Sequence, residues 1–166
     1  MRTGSEKIGS GRARAATFVV LAIVLVAGAI WLYSGTASRR AIETARADAV
    51  VAARESIVEM LSYRPDTADK KLSAARDRLT GPFLADYNQL IQTVVIPGAK
   101  QKKITATAEV PAAAAVSGGA DRTIVLAYVD QSLAVGSAAP TRTNSSVRVT
   151  MEKVDGRWLI AGFDPI

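Results

Sequence analysis

We single out five acidic and phenolic side chains of this sequence as candidates for acid–base catalysis, but the groups that enzymes use most often for it are missing. The candidates are Tyr63, Asp86, Tyr87, Tyr128 and Asp130. The chain has no histidine and no cysteine, which removes the commonest general base, the commonest metal ligand and all thiol chemistry. Without a histidine or a paired carboxylate we see no acid–base constellation. We therefore predict no enzyme activity, no catalytic residues, no cofactor and no metal site.

Asp130 is the carboxylate for which a chemical role is easiest to argue. It shares strand parity with Ile124, Leu126 and Tyr128, so a buried face there would surround it with apolar side chains. A carboxylate in such surroundings suits a general base. The alternative, which we favour, places Asp130 at the end of its strand beside Gln131, in solvent.

Asp86 and Tyr87 lie on the helix predicted for residues 83–95. Tyr87 shares a helical face with Leu90 and Ile91, which predicts a core residue whose hydroxyl lies near the edge. Asp86 is then expected to point into solvent.

The elements that position these side chains begin with helices. Residues 42–61 repeat apolar side chains at helical spacing, and Pro65 ends that helix. A second helix is predicted for residues 68–79. The third helix, 83–95, is predicted to end at the Ile-Pro-Gly sequence around Pro97.

Strand periodicity replaces helical periodicity from Lys102 onward. Residues 123–129 are apolar on both parities, which predicts a central strand covered on both faces. The pair Asp155-Gly156 is a strong signal for a two-residue hairpin. Alternation then slips at Gly162, which indicates either a bulge or a fraying end.

The N-terminal part indicates a membrane protein and accounts for part of the net charge of +6. Residues 1–14 are polar and basic, and no charged residue occurs between Ala15 and Ser38. The most apolar stretch would span about 28 Å as a helix, close to the hydrocarbon thickness of a bilayer. Trp31 and Tyr33 stand at one end of it, where aromatic side chains favour the interface.

Three regions follow from this pattern: a basic cytoplasmic tail at 1–14, a transmembrane helix at 15–37 and an extracytoplasmic domain at 38–166. Basic residues flank both ends of the span, so the short basic tail decides the orientation that we expect. A signal peptide cleaved near Ala37 is the alternative, although the apolar run is long for one.

Helices that precede an antiparallel sheet define an α+β fold. We predict an N-terminal transmembrane helix followed by three helices packed on a curved antiparallel sheet of about four strands.

Several segments together resemble the Mce-associated membrane proteins of mycobacteria and related actinobacteria. They are the basic tail with its anchor, ARADAVVAARESIVEML, LTGPFLADYNQLI, IPGAKQKKITATAEV and the closing VDGRWLIAGFDPI. The closing D-G-x-W with a nearby proline is the most telling, although D-G-x-W alone occurs in many related sheets. The resemblance covers nearly the whole chain and implies an outer domain similar to the NTF2-like, or VirB8-like, cone.

This resemblance implies accessory work: a non-enzymatic, membrane-anchored assembly protein that stabilises an Mce-type lipid-import complex in the cell envelope. The expected partners are the membrane and protein subunits of that transporter, with lipid as a further candidate. A VirB8-like secretion-system scaffold component shares the architecture and stays open as an alternative.

A ligand-binding or catalytic cone acting on a hydrophobic small molecule is the other alternative, because some NTF2-like relatives place an Asp, Tyr or His inside the cone. Tyr128 and Asp130 lining an open apolar pocket would favour it. A cone filled by large side chains would count against it. The candidates for such filling are Phe83, Leu90, Leu126 and Trp158.

Lys100, Lys102 and Lys103 form a small basic cluster before the first predicted strand. The cluster suits anionic lipid headgroups or an acidic patch on a partner, although charges at element ends are usually solvated. We predict no nucleic-acid binding, because the basic residues are scattered and not interleaved with aromatic ones.

Overall fold

A computed structural model describes residues 39–166. It has helices first and strands after them, so the predicted α+β class is confirmed for this part of the chain. The tail predicted for 1–14 and the membrane helix predicted for 15–37 lie outside the described residues. Among residues 39–166, no helix is both long and apolar enough to cross a membrane.

The helical part consists of three helical segments, the last of which is interrupted by a π-helical turn. Helix α1 covers residues 39–61. It is followed by α2 (Ala68–Ala75), a 3₁₀ turn (Arg76–Arg78), α3 (Gly81–Leu90), a π-helical turn (Ile91–Val95) and α4 (Ile96–Lys102).

The apolar stripe predicted along α1 is the part of that helix that faces the core. Ala45, Ala49, Ala53, Ile57 and Met60 are all buried. Three of these positions are alanines spaced four residues apart, so they lie on one face and let the helix backbone approach its neighbours closely. The helical spacing of apolar residues was therefore a reliable guide to the buried face.

The predicted end of the third helix at Pro97 is wrong, because the chain stays helical to Lys102. A proline inside a helix lacks an N–H donor and its ring collides with the carbonyl four residues earlier. Here a π-helical turn at Ile91–Val95 widens the helix just before the proline. The helix stops instead at Lys103, which has the left-handed φ of 52° that is common at helix ends.

The strands form one antiparallel sheet in the order β1-β2-β3-β4. The strands are β1 (Ile104–Gly118), β2 (Arg122–Val135), β3 (Thr141–Val154) and β4 (Arg157–Pro165). The predicted hairpin at Asp155-Gly156 is confirmed, and both residues have positive φ. Of the two interpretations of Gly162, the bulge is the observed one: Gly162 pairs with Thr150, while Ile160 pairs with the next residue of β3.

The prediction that β2 is covered on both faces is wrong for the described residues. On the inner face, which packs on the helices, Val125, Ala127 and Val129 are at most 1% exposed. On the outer face Leu126 is half-buried and Tyr128 is 53% exposed. All helices of residues 39–166 therefore cover the same face of the sheet.

Gly118, at the end of β1, is the glycine whose replacement we expect to cost most. Its φ is +132°, and an added Cβ would lie 2.4 Å from the carbonyl oxygen of Arg122. We expect Gly118→Ala to lower the free energy of unfolding by about 1–3 kcal/mol. The measurement is the urea midpoint of the full-length chain, followed by pulse proteolysis.

Gly98 in α4 provides the matched control, because an added Cβ there meets no atom within 4 Å. Gly98→Ala should raise the free energy of unfolding by about 0.5–1 kcal/mol, since alanine loses less backbone entropy in a helix. Equal shifts for the two variants would contradict the packing described at Gly118.

Candidate functional site

An apolar cavity of about 390 Å³ lies between the helices and the inner face of the sheet. Its volume falls in the range of about 300–1,000 Å³ that is usual for small-molecule pockets. Fifteen residues line it: Met60, Leu61, Tyr63, Leu72, Phe83, Asp86, Tyr87, Leu90, Ile91, Val95, Ala106, Gln131, Leu133, Phe163 and Pro165. Most of this lining is aliphatic or aromatic, so the cavity is suited to an apolar guest.

Three aromatic rings hold one wall of the cavity. Phe83 of α3 stacks on Phe163 of β4, with ring centroids 6.2 Å apart and planes 16° apart. Phe83 also contacts Tyr87 at 6.4 Å in a tilted arrangement. These rings attach α3 to the last strand, and contacts of this kind stabilise a fold beyond the apolar area that they bury.

Tyr87 places a hydroxyl deep in the cavity wall. The ring is 6% exposed, and its hydroxyl donates weakly to the carbonyl oxygens of Met60 at 3.4 Å and Leu72 at 3.5 Å. Burial, and secondarily the neighbouring Tyr63, raises the pKa of Tyr87 well above the usual tyrosine value. The hydroxyl therefore stays protonated at physiological pH and acts as a hydrogen-bond donor rather than a base.

Tyr63 lies in the cavity wall where the segment after α1 meets β1. Its backbone N–H donates to the carbonyl of Ala106, and its own carbonyl accepts from the N–H of Ala106, both at 2.9 Å. Burial also raises the pKa of the Tyr63 phenol. Two neutral phenols thus border an otherwise apolar space.

The candidates that the sequence singled out are divided between two faces. Tyr87 is buried as predicted, and Asp86 is exposed as predicted, although it also lines the cavity. Tyr128 and Asp130 lie on the outer face of β2, away from the cavity. Asp130 is not at a strand end, because β2 continues to Val135.

The carboxylate of Asp130 is held by a neighbour on β3. The amide nitrogen Nδ2 of Asn144 donates to Asp130 Oδ1 at 2.5 Å, and the two residues are directly paired across the strands. This contact orients Asp130 along the outer surface. A role for Asp130 as a base inside the domain is therefore inconsistent with its position.

We expected either an open pocket lined by Tyr128 and Asp130 or an interior filled by large side chains, and neither is observed in full. Of the four side chains expected to fill it, Trp158 is buried and Phe83 is half-buried in the cavity wall. Leu90 is 51% exposed, and Leu126 lies on the outer face. The cavity is therefore open and apolar, but it is lined by residues other than Tyr128 and Asp130.

Sequence reasoning missed Gln131, Leu133 and Phe163 as lining residues. Gln131 and Leu133 continue the parity of Val125 and Val129, which is the buried face of β2. That parity was the available signal, but apolar residues on both faces of β2 concealed which face turns inward.

The predicted basic cluster lies at the end of α4. Lys100 is paired with Asp69 at 2.5 Å, and both side chains are at least half exposed, so the pair contributes little to stability. Lys102 and Lys103 are exposed, and the Lys103 carbonyl accepts a hydrogen bond from Gly136 at 3.0 Å. Within residues 39–166, no group of acidic side chains is arranged to hold a metal ion.

The fold is that of VirB8-like domains. The structure superposes on the VirB8 protein of Agrobacterium tumefaciens with a TM-score of 0.61 and 17% identity, covering 74% of this chain and 92% of that one. An IcmL-like type IV secretion system protein of Legionella pneumophila gives a TM-score of 0.62 at 12% identity, covering 73% and 93%. Identities this low show a shared fold and leave the function open.

Sequence comparison goes further. No family model matches the chain. Outer membrane protein Rv1973 of Mycobacterium tuberculosis is 51% identical over 146 residues, which are 88% of this chain and 91% of that protein. The chain belongs to the family of this mycobacterial protein.

The buried Tyr87 phenol makes stability depend on alkaline pH. Its pKa is raised in the folded state, so the unfolded chain loses the proton first, near the ordinary value of 10.0. The contribution of Tyr87 to the free energy of unfolding is therefore fully present below pH 10. It decreases as the pH rises from there toward the folded-state pKa, by at most about 1.4 kcal/mol per pH unit. We expect Tyr87→Phe to make this decrease shallower.

Urea midpoints of the full-length chain between pH 8 and 11 check this. Below pH 10, Tyr87→Phe should cost less than about 1 kcal/mol, because its hydrogen bonds are long. Tyr128→Phe is the control, because Tyr128 is 53% exposed, and it should keep the wild-type slope. A wild-type slope in Tyr87→Phe would contradict the assignment.

Proposed function

We propose that this protein is a non-enzymatic, single-pass membrane protein whose outer domain stabilises an Mce-type lipid-import complex in the cell envelope. Residues 15–37 would anchor it, with residues 38–166 on the extracytoplasmic side. The kinship with a mycobacterial outer membrane protein and the resemblance to Mce-associated membrane proteins support this proposal.

The observation that carries the proposal is the outer face of β2, which no element of residues 39–166 covers. Tyr128 is 53% exposed there, and Leu126 and Ile124 are half-buried beside it. On β1 the partners of Tyr128 and Leu126 are Ala112 and Ala114, and that of Ile124 is Ser117, so all three partners have small side chains. On β3 the partners of Ile124, Leu126 and Tyr128 are polar: Thr150, Arg148 and Ser146. An exposed tyrosine beside apolar side chains is typical of a protein interface.

Polar groups border this face at both ends. Arg122 and Glu152 form an ion pair of 3.3 Å at one end. Asp130 and Asn144 form their hydrogen bond at the other. An apolar strip along β2, flanked by the polar side chains of β3 and by these paired groups, fits a protein subunit better than a charged ligand.

A VirB8-like scaffold in a secretion channel is the second candidate. The TM-score of 0.61 to a VirB8 protein favours it. The same outer face would then contact channel subunits in place of transporter subunits. The identity of the partner separates the two functions.

Site-specific photo-cross-linking of the full-length chain in mycobacterial cells tests the proposal. A photoreactive phenylalanine analogue replaces Tyr128 on the outer face of the sheet. The same analogue replaces Val51 of α1 as the control, because Val51 is 56% exposed and lies on the helical side. The cross-linked proteins are then identified by mass spectrometry.

We expect the analogue at position 128 to cross-link permease or substrate-binding subunits of an Mce-type transporter about tenfold more than the analogue at position 51. The reason is that the photoreactive group reacts only with atoms that it touches, and Tyr128 is the position that we place in the interface. Capture of secretion-channel subunits would replace the first proposal with the second. Equal capture from both positions, or capture of neither class, would overturn both.

A further inference from the structure

We propose that the cavity between the helices and the sheet binds an acyl chain. The site lies on the inner face of β2, opposite the face proposed for docking. Failure of one proposal therefore leaves the other standing. The cavity is closed at one end and open at the other.

The closed end lies in the domain core. Leu72 and Ile91 line the cavity there, and each is 1% exposed. The nearby Tyr87 hydroxyl makes only the two long hydrogen bonds described above and carries no charge. A charged group in this position would lose its hydration and gain at most the neutral Tyr87 hydroxyl as a partner, so the closed end favours an apolar group.

The open end appears where β2 runs beyond the cover of the helices. Along the inner face of that strand, exposure rises from 1% at Val129 to 41% at Leu133 and 45% at Val135. Leu133 lines the cavity, while Val135 lies two residues further along the same face and does not. The cavity therefore opens onto a surface that is itself apolar.

The helices contribute a matching rim. Leu90 of α3 lines the cavity and is 51% exposed, and Val94 in the next turn is 59% exposed and does not line it. Exposed leucine and valine side chains at the mouth of an apolar cavity form the kind of patch that marks a binding site.

A molecule with a long apolar part and a polar end fits this shape. Its chain would lie between the buried leucine and isoleucine and the exposed rim, and its polar end would remain in solvent. Among the fifteen lining residues Asp86 is the charged one. The apolar lining therefore defines the ligand, and its class is an acyl chain from a fatty acid or a membrane lipid.

Photolabelling of the full-length chain in phospholipid nanodiscs tests this. One sample receives palmitic acid carrying a diazirine on its chain, with and without excess unlabelled palmitate. A second sample contains phosphatidylglycerol with the same diazirine-bearing chain. Labelled residues are located by peptide mass spectrometry, and the two samples distinguish a free fatty acid from a lipid as the source of the chain.

Two pairs of variants match a lining position with a neighbour outside the lining. Leu133→Trp is paired with Val135→Trp on the strand, and Leu90→Trp with Val94→Trp on the helices. Tryptophan at the lining positions should obstruct the cavity and reduce labelling by about tenfold. The neighbouring variants should label as the wild type does. Circular dichroism melting identifies any variant that fails to fold, and the second pair then decides.

Labelling of residues 83–95 or 131–133 in either sample, lost in the lining variants alone, would support the proposal. Competition by palmitate would identify free fatty acid as the source, and labelling by the lipid probe alone would identify the lipid. Labelling confined to residues 15–37, no labelling at all, or equal loss in lining and neighbouring variants would overturn it.

Discussion

The free edge of β1 is the constraint on which the arrangement of the domain depends. Backbone groups at a sheet edge need hydrogen-bond partners, and unpaired edges invite association with other chains. Here α1 and the residues after it supply partners along this edge. Arg46 Nε donates to the carbonyl of Gly118 at 3.0 Å and Arg54 Nη2 to that of Val110 at 2.6 Å, while the N–H of Ala108 donates to Ser62 Oγ at 3.0 Å. These bonds fix the orientation of α1 relative to the sheet and its position along the edge of β1.

The position of α1 then determines which surfaces are covered. Its alanine face turns toward the inner side of the sheet, and the later helices pack on that same side. The opposite edge is held in a similar way, because the N–H of Thr80 donates to the carbonyl of Ile160 at 2.9 Å. Both edges are thus tied to the helical layer. The cavity lies between this helical layer and the inner face of the sheet. The outer face of β2 stays uncovered within residues 39–166.

Local patterns in the sequence predicted much of this. The helical spacing of α1, the change to strand periodicity after Lys102 and the Asp155-Gly156 turn each depend on neighbouring residues only, and each was confirmed. The helix through Pro97 was missed because its continuation depends on a π-helical turn, which has no simple sequence signal. The lining of the cavity was predicted wrongly for a different reason. The orientation of β2 depends on packing between distant segments, and its two apolar faces look alike in sequence.

The two apolar faces of β2 have different physical causes. On the inner face, Val125 and Val129 are needed to build the core. Leu133 lies on the same face, but its side chain is exposed because the helices do not cover that end of the strand. On the outer face no part of residues 39–166 requires apolar side chains for folding, so polar residues there would leave the core unchanged. Half-burying Ile124 and Leu126 beside an exposed Tyr128 gains little for the isolated domain. Such a face becomes favourable when a second surface removes it from water, which is why apolar character there is better explained by assembly than by folding.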